Sequence, residues 1–159
     1  MKNKKLTHVD PTGNPSMVDV SEKAVTRRTA RAQAIVLLGK EIISQIGEQE
    51  LLTKKGPVFQ TAILAGIMGA KKTSDLIPLC HPLSMDNCEI SIKPGDERII
   101  ITSTATLSAK TGVEMEALTA VTIAALTVYD MCKAMSHDIV IEEIKLLEKT
   151  GGKQDFKRK

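Results

Sequence analysis

The chain of 159 residues is long enough to bury one sizeable hydrophobic core and short for two. Hydrophobic residues make up 42% and charged residues 26%, which excludes disorder over most of the length. With one tyrosine, two phenylalanines and no tryptophan, the chain is a poor candidate for binding single-stranded nucleic acid by base stacking. The net charge of +3 arises from the last nine residues, so residues 1–150 are neutral and unlike a DNA-binding domain.

The cysteines and the N-terminus point to a cytoplasmic protein. Cys80, Cys88 and Cys132 are odd in number and lack C-x-x-C spacing, so they indicate neither a disulfide framework nor a metal site. The lysines at the N-terminus are not followed by an apolar run, and no stretch of about 18 uninterrupted apolar residues occurs. We therefore expect a reducing, cytoplasmic location with neither a membrane nor a nucleic acid as partner.

The first half of the chain predicts an irregular lead-in over residues 1–17, one strand and two helices. Over residues 25–38 small apolar residues alternate with polar ones, which predicts a strand, although alanine and arginine would fit a helix equally well. Residues 40–47 predict a short helix, and residues 58–70 predict an apolar helix after Gly56-Pro57. Gly66 and Gly69 on that second helix predict close packing against a neighbouring element.

The second half predicts a hairpin, a long helix and a last strand. Residues 87–93 and 98–107 are strand-like and flank turn residues 94–97, residues 112–135 form the strongest helical pattern, and residues 139–147 form the last strand. The order βαββαβ predicts an α+β ferredoxin-like sandwich, with helices on one face of an antiparallel sheet. Residues 18–150 would then be a single catalytic domain, and the Gly/Lys-rich tail of residues 151–159 is expected to fray after Lys153.

A histidine lies between two prolines in the segment of residues 76–83. Proline restricts its own backbone and that of the preceding residue, so this segment should be extended and stiff, with Cys80 and His81 forming part of a binding wall. A buried turn with a structural histidine explains the pattern equally well. His8 and His137 have no comparable context and are interpreted as surface or packing residues.

The long helix carries charges at both ends. Asp130 and Lys133 share a face at i and i+3, and a buried lysine in this apolar helix would have a lowered pKa suited to acid–base chemistry. Glu114 and Glu116 lie in the first turn, where carboxylates also simply favour the helix dipole. Glu116 and Asp130 are about 21 Å apart along the helix, so a small substrate could touch both only if two chains build the site.

Five sequence strings together resemble the cyclic pyranopterin monophosphate synthase family, also called molybdenum cofactor biosynthesis protein C. They are Met17–Ser21, Lys72-Thr73 with Asp75–Leu83, Lys110–Ala120, Tyr129–Ala134 and Lys149–Lys153. The similarity extends from about residue 6 to residue 156. It implies a lyase of molybdenum cofactor biosynthesis that converts (8S)-3′,8-cyclo-7,8-dihydroguanosine 5′-triphosphate to cyclic pyranopterin monophosphate and releases pyrophosphate.

The same resemblance implies roles for individual residues. Asp130 would be the principal acid–base group, with Lys133 as its partner and Lys55 as a third catalytic residue. The substrate-binding residues would be Leu79, Cys80, His81, Glu114, Met115, Glu116, Lys149 and Arg28.

The resemblance further implies a homohexamer, a trimer of dimers with active sites near the dimer interface. It implies no metal site and no required cofactor. Whether magnesium binds together with the triphosphate stays open. The alternative is a non-catalytic ferredoxin-like module that binds a nucleotide or regulates a partner, because a fold alone does not define a function. Acidic residues beside an anion site favour the enzyme, since a pure triphosphate binder has little use for them.

Overall fold

The computed structural model describes residues 9–159. Its elements in chain order are β1 (Thr26–Leu37), α1 (Lys40–Ile43), β2 (Leu52–Thr53), β3 (Gly56–Pro57), α2 (Val58–Ala70), α3 (Thr73–Leu76), β4 (Asn87–Pro94), β5 (Arg98–Ala109), α4 (Glu114–Cys132), β6 (Val140–Thr150) and β7 (Phe156–Lys157). Five strands form one antiparallel sheet in the order β4-β5-β1-β6-β7, and β2 pairs with β3 separately. This is the predicted ferredoxin-like α+β fold.

The central strand β1 shows why the sheet has one covered face. Ala30, Ala32, Ala34 and Val36 are all at most 1% exposed, whereas the residues between them are partly exposed. Successive side chains of a strand point to opposite faces, so the alanine face is the one on which the helices pack. The alternation therefore belongs to a strand, as predicted, and not to a helix.

Helices α2 and α4 lie against each other at close range. A Cβ atom on Gly66 would be 2.7 Å from the carbonyl oxygen of Ala120, and one on Gly69 would be 2.6 Å from Cγ1 of Ile123. Only hydrogen at these two positions allows the helices to approach so closely, which confirms the prediction from Gly66 and Gly69.

By length and composition α4 could cross a membrane, but 56% of it is buried within this fold, which is typical of a core helix.

Two local predictions are corrected, and one element was missed. The helix predicted over residues 40–47 ends at Ile43, because the amides of Gln45 and Ile46 already turn back to carbonyls three residues earlier. The segment of residues 76–83 is not extended at its start, because α3 ends at Leu76 and Cys80 closes a turn on Ile77 at 3.1 Å. The hairpin of β2 and β3 is an element that the sequence pattern does not predict. His8 lies outside the described residues, and His137 is exposed.

The expectation that the tail frays is wrong, because β7 adds a strand to the sheet. Phe156 pairs with Lys149, and Arg158 donates its amide to the carbonyl oxygen of Leu147 and its Nε to that of Leu146, both at 2.8 Å. The turn into β7 needs Gly151, whose φ of 82° is in the left-handed region. The C-terminus is thus fastened to β6 beside Lys149.

Truncation after Lys153 is expected to lower the free energy of unfolding by about 1–3 kcal/mol, because it removes β7 and the bonds of Arg158. For a chain of this size the midpoint of thermal unfolding should fall by roughly 2–12 °C. Thermal denaturation followed by circular dichroism measures the change, with removal of Lys159 alone as the matched control. An unchanged midpoint for the longer truncation would show that β7 does not stabilise the fold.

Candidate active site

Two cations and a carboxylate meet at one end of the helix-covered face of the sheet. Arg28 continues the alanine face of β1, Lys149 pairs with Ala30 from β6, and Glu114 begins α4. Lys149 Nζ lies 2.8 Å from Oε1 of Glu114, while Arg28 donates to the carbonyl oxygen of Ala109 at 3.1 Å. The three side chains line one cavity of about 380 Å³. We name this set, Arg28, Glu114 and Lys149, the cation pocket.

Glycines and the tail complete the cation pocket. A Cβ atom on Gly112 would collide with the carboxylate of Glu114, and one on Gly152 would lie 3.2 Å from Nη1 of Arg28. Lys153 and Gln154 also line the cavity, and neither was predicted as a site residue. The adjacent glycine pair was the signal that could have identified them, because a tight glycine turn is where backbone and ligand can approach closely.

The other end of α4 carries a carboxylate between two lysines. Asp130 Oδ1 lies 2.7 Å from Nζ of Lys133, and its Oδ2 lies 2.7 Å from Nζ of Lys55. Lys55 also donates to the backbone carbonyl oxygen of Asp130 at 2.8 Å. We name these three residues the ion triad. The sequence predicted the pair on the helix, and the structure brings Lys55 to it from the hairpin of β2 and β3.

The ion triad is exposed, so the predicted buried lysine is wrong. Side-chain exposure is 55% for Lys133 and 54% for Asp130, whereas Met131 and Cys132 between them are buried, so the two charges lie on the outward side of the end of α4. Hydrogen bonds from Lys133 and then Lys55 lower the pKa of Asp130 to about 2, and the hydrogen bond to Asp130 raises the pKa of Lys133. Asp130 and Lys133 are therefore both charged at neutral pH.

Glu116 is the carboxylate with the opposite environment. Glu116 is only 3% exposed and lies two residues after Glu114. Burial raises the pKa of Glu116, and the charge of Glu114 is a smaller cause. Burial likewise raises the pKa of the Cys80 thiol, with the Glu116 charge adding to the effect. The charge of Glu116 is thus close enough to affect the Cys80 thiol, and their shared role in binding a substrate stays a prediction. A carboxyl group with a raised pKa is able to hold and release a proton nearer to neutral pH.

His81 contacts the segment that follows the N-terminal lead-in. Its Nε2 lies 2.9 Å from the carbonyl oxygen of Val18, so that ring nitrogen donates if it carries the proton. The same segment is held from a second side by Lys110, whose Nζ donates to the carbonyl oxygen of Ser21 at 2.6 Å. Leu79 is partly buried and Met115 is 36% exposed. His81 therefore makes a structural contact, as the alternative of a structural histidine predicts, and its role in binding a substrate stays a prediction.

Among residues 9–159, no three histidine, cysteine, aspartate or glutamate side chains are close enough together to hold a metal ion.

The fold and these charged groups define a ferredoxin-like α+β protein with ionisable residues at both ends of its core helix. Residues 17–152 match the model of the MoaC family, and the chain belongs to this family. The match covers most of the chain and includes the cation pocket, Glu116, His81 and the ion triad. It confirms the resemblance seen in the sequence. Membership places the chain among proteins of molybdenum cofactor biosynthesis.

Glu116→Gln is expected to stabilise the folded protein, and the gain in unfolding free energy over the unsubstituted protein should grow as the pH rises. The folded protein binds the Glu116 proton more tightly than the unfolded chain does, so stability falls as pH rises from the unfolded pKa towards the folded one. Glutamine stays neutral and escapes this loss. The difference in unfolding free energy, measured in urea, should be smallest below pH 4.5 and grow towards neutral pH. Glu22→Gln, at an exposed position, is the control, and a pH-independent difference for Glu116→Gln would contradict the raised pKa.

Proposed function

We propose that the protein is a cyclic pyranopterin monophosphate synthase. It would convert (8S)-3′,8-cyclo-7,8-dihydroguanosine 5′-triphosphate to cyclic pyranopterin monophosphate and pyrophosphate. The observation that carries the proposal is the pairing of a cation pocket with two carboxylates of opposite environment, Glu116 and Asp130, within a member of the MoaC family. A reaction that moves protons on a triphosphate substrate needs both kinds of group.

The cation pocket suits the phosphate part of the reaction. When an oxygen of the substrate attacks its own α-phosphorus, the bond to the pyrophosphate breaks and negative charge accumulates on the leaving oxygens. Arg28 and Lys149 can stabilise this charge, and Lys153 lies on the same cavity wall. Arg28 offers a planar set of N–H donors, which matches phosphate oxygens in pairs.

The carboxylates suit the proton transfers that open the purine-derived ring and form the pyran. Glu116 would supply a proton, because its raised pKa keeps part of it protonated nearer to neutral pH. Asp130, ionised between Lys55 and Lys133, would accept a proton as the general base. Either lysine would stabilise negative charge that develops on the substrate or donate a proton to it. Two carboxylates whose pKa values are moved in opposite directions are a recurrent arrangement for a general acid and a general base.

A homo-oligomer is part of the proposal, because Glu116 and Asp130 are about 21 Å apart along one helix. The outer surface of the helical layer also exposes apolar side chains, namely Leu64 at 64%, Met68 at 61% and Leu126 at 51%. Such a surface favours contact with another chain. We propose a hexamer formed as a trimer of dimers, with each active site near a dimer interface.

The remaining parts of the proposal concern location and ligands. We propose a cytoplasmic enzyme whose partners are its substrate and further copies of itself, with neither nucleic acid nor membrane. We propose no resident cofactor, and any magnesium would arrive with the triphosphate. The alternative, a non-catalytic nucleotide-binding or regulatory module, is less well supported because the buried Glu116 costs stability when ionised and would weaken the binding of an anion.

The direct test incubates the purified protein with the cyclic dihydro-GTP intermediate and detects the pterin product and pyrophosphate. Asp130→Asn should lower turnover by at least about 100-fold, since it removes the base while nearly preserving shape. Circular dichroism and substrate affinity check that the variant is folded and binds. Absence of product with the unsubstituted protein would reject the proposed reaction, and normal turnover by the variant would reject Asp130 as the base.

Mixing two inactive variants tests the composite site. Glu116→Gln and Asp130→Asn proteins should each be inactive, because every site of either homo-oligomer has one defect. In a dimer of one chain of each kind, one site has both defects and the other has none, so activity should return to about half per mixed dimer. Differently tagged chains prove that exchange has occurred. Mixed dimers as inactive as their parents would show that one chain supplies both residues.

A further inference from the structure

Lys55 reaches the ion triad from the tip of a very small hairpin. Strands β2 and β3 contain two residues each and pair only with one another, apart from the five-stranded sheet. At the tip, the amide of Lys55 donates to Oγ1 of Thr53 at 3.2 Å. A ladder of two residue pairs is not stable by itself, so the direction of the hairpin must be fixed at its base.

Glu50 ties the two sides of that base together. Its Oε1 accepts from the amide of Leu51 at 2.8 Å and from the amide of Phe59 at 2.7 Å. Its Oε2 accepts from the amide of Gln60 at 3.1 Å. Leu51 precedes β2 and is fully buried, whereas Phe59 and Gln60 follow β3 in the first turn of α2. One carboxylate thus joins the chain entering the hairpin to the helix leaving it.

The N-terminus of α2 explains why a carboxylate occupies this position. Its N-cap residue is Pro57, which makes no side-chain cap, and the first turn contains no acidic residue. The first amides of a helix have no partner within the helix, and they carry partial positive charge. Glu50 supplies both the missing acceptor and the complementary negative charge from the turn of residues 47–50.

We propose that Glu50 is a positioning residue for Lys55, because its carboxylate fixes the base of the hairpin whose tip places Lys55 on Asp130. The link to catalysis rests on the proposed function, whereas the link between Glu50 and the ion triad does not. Without the Glu50 bonds the base would be held by the amide of Val58, which donates to the carbonyl oxygen of Leu51 at 2.9 Å, and the hairpin would change its direction more easily. Lys55 would then spend less time within 2.7 Å of Asp130, while the pair formed by Asp130 and Lys133 within α4 would persist.

The test titrates the side-chain carboxyl of Asp130 by NMR in Glu50→Gln. Glutamine keeps one oxygen to accept from the amides of Leu51 and Phe59 but turns an amide group towards the N–H of Gln60. The protein should therefore fold, while the base of the hairpin is held less firmly. The pKa of Asp130 should rise from about 2 by roughly 0.5–1 unit, because Lys55 is one of the two groups that lower it. Glu48→Gln, the same change at an exposed residue two positions away, should leave it unaltered.

A double-mutant cycle separates positioning from general stability. In the Lys55→Ala background, Glu50→Gln should produce no further change in the pKa of Asp130, since its effect is transmitted through Lys55. Glu50→Ala, which removes all three bonds, should shift the pKa further than Glu50→Gln does. The proposal is overturned if Glu50→Gln lowers the melting temperature while leaving the pKa of Asp130 unchanged, or if the shift is equally large without Lys55.

Activity supplies an independent readout. Glu50→Gln should lower kcat/KM by roughly 10-fold or more, as expected for a displaced catalytic group, and Glu48→Gln should not. A protein that forms no product from the cyclic intermediate would reject the proposed function, and the titration would still decide the role of Glu50. An active protein in which Glu50→Gln changes neither kcat/KM nor the pKa of Asp130 would reject the role of Glu50 alone.

Discussion

The close approach of α4 to the sheet and to α2 is the constraint on which the rest of the structure depends. The face of β1 beneath the helices is lined by alanines. On α4 four further alanines are fully buried, namely Ala117, Ala120, Ala124 and Ala125. Small side chains on both surfaces let the backbones come close, and the glycines of α2 do the same from the side. Because a tightly packed helix cannot slide or rotate freely, both of its charged ends have fixed positions relative to the strand ends.

The packing also explains why the two ends differ in electrostatics. The first turn of α4 lies over the sheet, so Glu116 loses water and its pKa rises. In the last turn Met131 and Cys132 are buried, but Asp130 lies on the outward side of the helix, so it keeps water and gains two lysines, which lower its pKa. One helix thus carries a carboxylate that favours its proton and another that favours its charge. No metal or unusual backbone is needed for this division, only the depth at which each residue lies.

The sequence predicted the elements whose periodicity extends over many residues. The alternation in β1 and the apolar length of α2 and α4 are set by burial on one face, so pattern and structure agree, and α2 has the predicted bounds. Short elements escaped prediction, because two-residue strands such as β2, β3 and β7 carry no period. The exposure of Lys133 also could not be seen, since the sequence shows that the helix is apolar but not which side of its last turn faces solvent. Lys55 was predicted from family resemblance. The sequence did not show its contact with Asp130, or that the carboxylate of Glu50 holds the base of the hairpin that carries Lys55.

The packing that fixes each charged cluster also keeps the clusters apart. Bending α4 to bring Glu116 towards Asp130 would separate it from β1 and α2 and open the alanine-lined core, which is costly in a close-packed interior. Closure of a domain cannot achieve it either, because both residues belong to one rigid helix. Any reaction that uses the buried carboxylate and the ion triad on one small substrate therefore needs a second copy of the chain, placed so that the first turn of one α4 faces the last turn of the other.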